Sequence, residues 1–338
     1  MDCLFCSIIK GDIPSKKVYD DELCYAFYDI NPQAPVHFLV VPKLHIPSAD
    51  AVSLENSKYV SHIFEVIPKI AKELGLELLA PDASVYLPNC ISAFVGADTV
   101  CALLATDLCG ADCALLADIG TNGEMVLAHE DKLLCCATAA GPAFEGAGLS
   151  CGMPAKRGAI RKVVLQDGEQ TWETVQDAEP VGICGSGILD ALVVALQTEN
   201  MDDSGFLEEE IDLGGVMINQ KDVRQIQLAK SAVCAGLITL LEEADVPAEG
   251  VEVFSIAGGF GSSMDLDSAK TIGLFPAALR EKTDFIGNAA LGGAAMLLLN
   301  REIRAKSETL ADAAEEIELS ASAAFMDYYV DCMSFMEF

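Results

Sequence analysis

Asp118 begins the densest run of chemistry-bearing residues in the chain, Asp118-Ile119-Gly120-Thr121-Asn122-Gly123-Glu124. A carboxylate at a strand end can hold magnesium through the ion's waters. Gly120 and Gly123 allow backbone conformations closed to residues with a Cβ, so amides can turn toward an anion. Thr121 and Asn122 add side-chain donors. An ordinary polar hairpin uses glycine in the same way, so this turn carries a phosphate reading only with support from elsewhere. Two more glycine turns offer it. Gly185-Ser186-Gly187 leads into an apolar helix with Ser186 as its expected N-cap, and a helix N-terminus suits an anion. Gly258-Gly259-Phe260-Gly261 follows the apolar run Val251 to Ala257, where paired glycines let backbone approach a ring or phosphate closely. At the other end of the chain, Cys3 and Cys6 are the thiols whose spacing could matter. The histidines are only His37, His45, His62 and His129, and none lies two residues from another.

The elements that must position these residues are legible as periodicity. Ala114 to Ala117 reads as a buried strand entering the Asp118 turn. Met125 to Ala128 and Leu133 to Ala137 continue as a β-meander around the turn His129 to Lys132. Ser92 to Leu108 reads as a small-residue helix, and the segment from Gln220 as the strongest helix in the chain. Residues 201–219 read as an acidic, glycine-punctuated loop, and Asn288 to Ala295 as the opening of a small-residue helix. Near the N-terminus, Lys17 to Tyr19, Leu23 to Tyr28 and His37 to Pro42 read as strands. A helix from about Glu55 to Leu74 follows, interrupted by Pro68 and closed by Gly75. The aromatic and methionine-rich tail (Phe325, Tyr328, Tyr329, Met333, Phe335) reads as packing.

Composition narrows the function classes. A formal charge of -31 over 338 residues argues against nucleic-acid and anionic membrane partners. Met1 to Ile9 lacks the basic start and apolar core of a signal peptide, and no long apolar run suggests a membrane span, so a cytoplasmic location is expected. Thirteen cysteines, scattered through apolar segments, fit reduced core thiols better than a disulfide framework.

Residues 1–76 carry CLFCSIIKGDIPS, AFYDINPQAPVHFLVVPKLHI and HIFEVIPKIAKELGLE. They resemble the N-terminal half of the histidine triad (HIT) nucleotide hydrolases and transferases. The resemblance implies a truncated α+β domain in which Phe5, Ile8, Ile13 and Ile30 line a base pocket and Asp29 binds ribose. It also implies Cys3, Cys6 and His45 as ligands of a structural zinc that needs a fourth. The His-x-His-x-His nucleophile of that family is absent, so HIT catalysis is not expected.

Residues 79–338 carry DIGTNGE, AAGPAFEGAG, ICGSGILDAL, QLAKSAVCAG, IAGGFGSSMD and GNAALGGAAMLLL in that order. They resemble the actin-like (ASKHA) ATPase domain of the reductive activators of corrinoid proteins. The resemblance implies an RNase-H-like α/β half-domain with a mixed sheet and flanking helices, binding ATP and Mg2+ and acting on a corrinoid methyl-carrier protein. It assigns Asp118 as the catalytic carboxylate. Gly120, Thr121, Asn122, Gly123 and Glu124 form the second phosphate loop, and Gly258, Gly259, Phe260 and Gly261 the adenosine loop. Gly185, Ser186, Gly187 and Lys230 are further nucleotide contacts, with Ser92 to Asp98 and Asn288 to Ala295 as connecting helices. The family's first phosphate loop and its ferredoxin-type domain are missing, so no iron–sulfur cluster is expected. The expected domains are 1–76, a junction at 77–81, and 82–338. Weak or absent hydrolysis is the expectation, with a non-enzymatic docking module, a homodimer, or a chimera without function of its own as alternatives.

Overall fold

The computed structural model describes all residues except 1–2, 31, 33–35, 49–50, 76–85, 107 and 261–263. The proposed junction at 77–81 lies outside them. The chain divides into two compact units, residues 1–86 and 87–338.

The first unit contains α1 (Leu4–Lys10), β1 (Lys17–Asp20), β2 (Cys24–Tyr28), β3 (Phe38–Pro42) and α2 (Ser57–Glu73). The strands form an antiparallel sheet in the order β1-β2-β3. Alternation puts Cys24 and Ala26 on one face of β2, where they meet Val66 and Ile70 of α2. Pro68 sits inside α2 on its exposed side, and Gly75 follows the helix in the left-handed conformation (φ +69°) expected of a terminating glycine.

The second unit contains α3 (Ala97–Ala105), β4 (Cys113–Ile119), β5 (Gly123–His129), β6 (Lys132–Thr138), β7 (Ala159–Gln166), β8 (Glu169–Thr174), β9 (Gly182–Ile183) and α4 (Gly185–Gln197). It continues with β10 (Ile211–Asp212), β11 (Met217–Ile218), α5 (Gln220–Glu243), β12 (Val253–Ala257), α6 (Leu266–Thr271) and β13 (Thr283–Gly287). The last elements are α7 (Ala289–Leu299), α8 (Glu302–Ala313), β14 (Ala314–Glu316) and α9 (Ala323–Asp331). Its main sheet has six strands in the order β13-β12-β4-β5-β6-β14. β4, β5 and β6 are the antiparallel meander, while β12 lies parallel to β4 and β13 parallel to β12. β14 adds to the far edge parallel to β6. This is the mixed α/β sheet with flanking helices that the motifs led us to expect.

Several boundaries differ from the sequence expectation. The helix expected from Ser92 begins only at Ala97, because Ser92 Oγ accepts the amides of Phe94 (3.1 Å) and Val95 (3.0 Å) and holds a turn instead. The acidic loop 201–219 hides the two-residue strands β10 and β11, too short to show a period. The strong helix does start at Gln220. Asn219 accepts the amides of Lys221 and Asp222, and Asp222 returns a bond to the Asn219 amide, which makes a capping box.

Candidate functional site

The carboxyl ends of β4 and β12 lie side by side, with Asp118 opposite Ala257 in the parallel register. Here each strand ends in a glycine turn, and a cleft of about 320 Å³ opens between them. Crevices at the carboxyl ends of adjacent parallel strands are the usual ligand sites of α/β sheets. One wall is Asp118, Ile119 and Gly120; a second is Gly258, Gly259 and Phe260. Cys184, Gly185 and Ser186 at the start of α4 form a third, and Phe144, Glu145, Pro154 and Ala155 close the cleft.

The first turn is a three-residue loop, Gly120 to Asn122, with Ile119 paired to Gly123. Neither glycine has positive φ, so backbone permissiveness is not why they are there. A Cβ on Gly123 would come 2.7 Å from Thr138 Oγ1, so packing requires the small residue. The Thr121 hydroxyl is not free to donate outward: it donates to Glu145 Oε2 at 2.8 Å. At the second turn Gly258 does need its freedom, with φ +95° and a would-be Cβ 2.8 Å from the Ile119 carbonyl. Gly261 lies outside the described residues.

The start of α4 corrects one expectation. Its N-cap is Cys184, which makes no side-chain capping bond. Ser186 instead donates through Oγ to the Arg161 carbonyl at 2.8 Å. The first amides of a 13-residue helix thus lack a side-chain cap at the cleft wall, which is the geometry that suits an anionic oxygen. Gly185 must be glycine, since a Cβ would strike the Phe144 carbonyl and stand 2.7 Å from the Phe260 ring. Gly187 packs against Ile160 and is not part of the lining.

The electrostatics are acidic. Burial pushes the Asp118 carboxyl up, and the nearby Asp98 carboxylate adds to it. Burial, Asp98 and Asp118 push Glu124 up to about 7. Among the described residues the lining carries Asp118 and Glu145 but no lysine or arginine. A polyphosphate fits such a surface only with a divalent cation between the two sets of charge. Asp118 is the strand-end carboxylate on the cleft wall that could hold such a cation through its waters, and Glu124 pairs with it across the β4–β5 ladder. The size, the uncapped helix start and the acidic strand end therefore suit a metal–phosphate ligand.

Lys230 was expected at this site and is elsewhere. It is fully buried on α5, and its Nζ donates to the carbonyls of Cys332 (2.5 Å) and Ser334 (2.6 Å). Its place in the motif run gave no sign that the C-terminal segment covers it. Conversely, residue-type reasoning passed over Phe144, which stacks on Phe260 with centroids 4.9 Å apart and rings 17° from parallel. The glycine-bracketed AAGPAFEGAG was the available signal.

In the first unit, Cys3, Cys6 and His45 do converge: their ligand atoms lie within 4.8 Å of one another, with Cys6 Sγ 3.4 Å from His45 Nδ1. Hydrogen bonding from the Cys6 amide holds the Cys3 thiol down. Two thiols and an imidazole are a zinc-type donor set short of one ligand. The expected base pocket is open. Ile8 is buried, but Ile30 is 88% exposed, and Phe5 and Ile13 are also exposed. Asp29 stands 3.8 Å from His37 Nε2.

The family model for the "C-terminal domain of RACo the ASKHA domain" matches residues 112–214 and 207–337, two thirds of the chain. The chain belongs to the RACo C-terminal ASKHA family. The corrinoid activation enzyme RamQ of Eubacterium limosum is 30% identical over 357 residues, covering 95% of this chain and 57% of RamQ. A solved "Reductive activator for corrinoid,iron-sulfur protein" superposes with TM-score 0.69 at 30% identity, covering 84% of this chain and 58% of that one. The chain thus spans a little more than half the length of these relatives. Residues 2–89 match the model for scavenger mRNA decapping enzyme C-terminal binding. Over 73 residues the chain is 42% identical to the purine nucleoside phosphoramidase of Escherichia coli, covering 22% of this chain and 61% of that enzyme. The ASKHA and HIT-like resemblances of the two regions therefore both hold.

Proposed function

We propose that residues 82–338 are the ATP- and Mg2+-binding second half of an activator that couples ATP hydrolysis to reduction of a corrinoid methyl-carrier protein. Residues 1–76, joined through 77–81, are the first half of a HIT-type domain without its nucleophile. The observation that carries the reading is the cleft at the ends of β4 and β12, with Asp118 on one wall and the uncapped start of α4 on another. Bound Mg-ATP would supply the hydrolysable phosphate. Asp118 would hold the metal's waters and the α4 amides would take the phosphates, beside the stacked Phe144 and Phe260 rings and the Gly258–Gly259 turn of the lining. A single phosphate loop leaves charge stabilisation incomplete, so hydrolysis is weak or absent.

Calorimetric titration with Mg-ATP tests this. Binding that requires Mg2+ and is lost in Asp118→Ala is expected; no binding to the folded chain, or binding indifferent to both, defeats the reading. A second reading, a docking module for the corrinoid protein or for a second copy, is favoured by Leu291, Leu298 and Leu299 of α7, which are 65–85% exposed. Nucleotide-independent capture of a corrinoid methyl carrier would select it. Sequencing the source DNA across codons 60 to 100 tests the third, a chimeric join. Separation of the HIT and ATPase texts there would assign their functions to two different proteins.

A further inference from the structure

The segment after α9 lies along α5 and is held there largely by α5 side chains. Gln227 Nε2 donates to the Met333 carbonyl at 2.7 Å, and Lys230 Nζ to the carbonyls of Cys332 and Ser334. Ser231 Oγ reaches the Cys332 carbonyl at 2.9 Å, and the Phe335 ring covers the Lys230 ammonium with its centroid 5.1 Å away. Under this strap two thiols meet. Cys234 of α5 and Cys332 are both fully buried, both free, and packed together with Ala235.

The environment separates this pair from the other buried cysteines. Burial pushes the Cys101 and Cys113 thiols up, with Asp98 adding to the first and Glu252 to the second, and the Lys282 ammonium near Cys113 does not reverse this. Cys332 is pushed down by a hydrogen bond from Cys234, with the Lys230 ammonium contributing in the same direction. The same hydrogen bond and burial push Cys234 up. A touching thiol pair in which one thiol donates to the other beside an ammonium is the arrangement that makes the accepting sulfur the attacking thiolate. Packing alone accounts for two buried cysteines, but not for a cation placed beside the pair.

We propose that Cys234 and Cys332 are a dithiol that closes to a disulfide by exchange with a small-molecule disulfide, fastening the C-terminal strap to α5. The Cys332 thiolate attacks one sulfur of the reagent RSSR, and RS⁻ leaves, giving a mixed disulfide on Cys332. Cys234 then loses its proton and attacks the Cys332 sulfur, expelling the second RS⁻. Two protein thiols and one RSSR become one protein disulfide and two RSH. Because both sulfurs are buried, exchange waits for the strap to lift, and its rate reports that opening.

The test incubates the full chain with oxidised glutathione under native conditions, alkylates remaining thiols, and maps the digest by mass spectrometry. The expected result is a Cys234–Cys332 peptide pair that dominates all other cysteine pairs and disappears on reduction. Phe335→Ala, which uncovers the strap, should form it on the order of tenfold faster. Where that variant does not fold, urea below the unfolding transition of the unsubstituted chain serves the same purpose. Cys234→Ser should stop at glutathione on Cys332. Glutathione persisting on Cys332 in the unsubstituted chain, or both thiols recovered alkylated after the strap is opened, overturns the proposal.

Discussion

Glu124 is the residue whose environment makes the sharpest prediction. Its carboxyl titrates at about 7 in the folded chain against 4.5 ordinarily, because burial, Asp98 and Asp118 all oppose its charge. Between those values the folded state binds more protons than the unfolded one, so stability falls as pH rises from about 4.5 to about 7. Glu124→Gln should flatten that fall by on the order of 2 kcal/mol, read as denaturant midpoints across the range. Lys230 separates two accounts of itself. Lys230→Ala removes the Ser334 carbonyl's Lys230 donor and one of the two side-chain donors to the Cys332 carbonyl, and should destabilise the fold by about 2–4 kcal/mol. Its Mg-ATP affinity, measured where it is folded, should stay unchanged; a loss of affinity would return Lys230 to the site. Asp118, Gly185 and Gly258 could be picked out from sequence because local turn chemistry announces itself in the neighbours of a residue. Phe144 and Lys230 could not be assigned by residue type, since their partners lie far along the chain.

Helix α7 illustrates what an element reveals and withholds. The run AALGGAAMLLL announces close packing, and α7 does press on α3, with Gly293 against the backbone of Cys101. A Cβ there would collide with the Cys101 carbonyl, so Gly293→Ala should lower stability by about 1–3 kcal/mol, seen as a lower melting temperature. At the other end of the unit, Asp222 ties α5 to the loop that returns to the cleft. Its two oxygens accept the Ser150 amide and hydroxyl, each at 2.6 Å, as well as closing the capping box. Asp222→Ala should cost about 2–3 kcal/mol and also weaken nucleotide binding through displacement of the 146–155 loop. Stability and calorimetric titration check the two halves of that statement separately. Strands of the meander were legible because buried strands of seven residues leave a long signal. β10 and β11, two residues each, leave none.

At the scale of the whole chain the two units differ in how much core they own. The first gathers four buried apolar residues, Cys24, Ala26, Val66 and Ile70, into its cluster, whereas the second holds most of the main sheet and α5 in one core. Amide exchange should therefore be faster in β2, β3 and α2 than in β4, β5 and β12, by at least about tenfold. Equal protection would show that the small unit draws stability from something beyond its own core. No helix among the described residues is long and apolar enough to cross a membrane.

One property of the first unit bears on how the protein behaves as a suspension. Among the described residues β3 pairs on one side only, with β2, and its run Phe38-Leu39-Val40-Val41 carries no charge, with Pro42 and the Asp20-paired Lys43 at its end. Beyond those two residues, the chain's overall charge of -31 opposes edge-to-edge sticking. That protection is colloidal and depends on range: the screening length is about 30 Å at 0.01 M salt and about 3 Å at 1 M. Turbidity should rise with ionic strength at fixed temperature, and Val40→Lys should suppress the rise. Dilute buffer is then the medium in which charge would keep the molecules furthest apart.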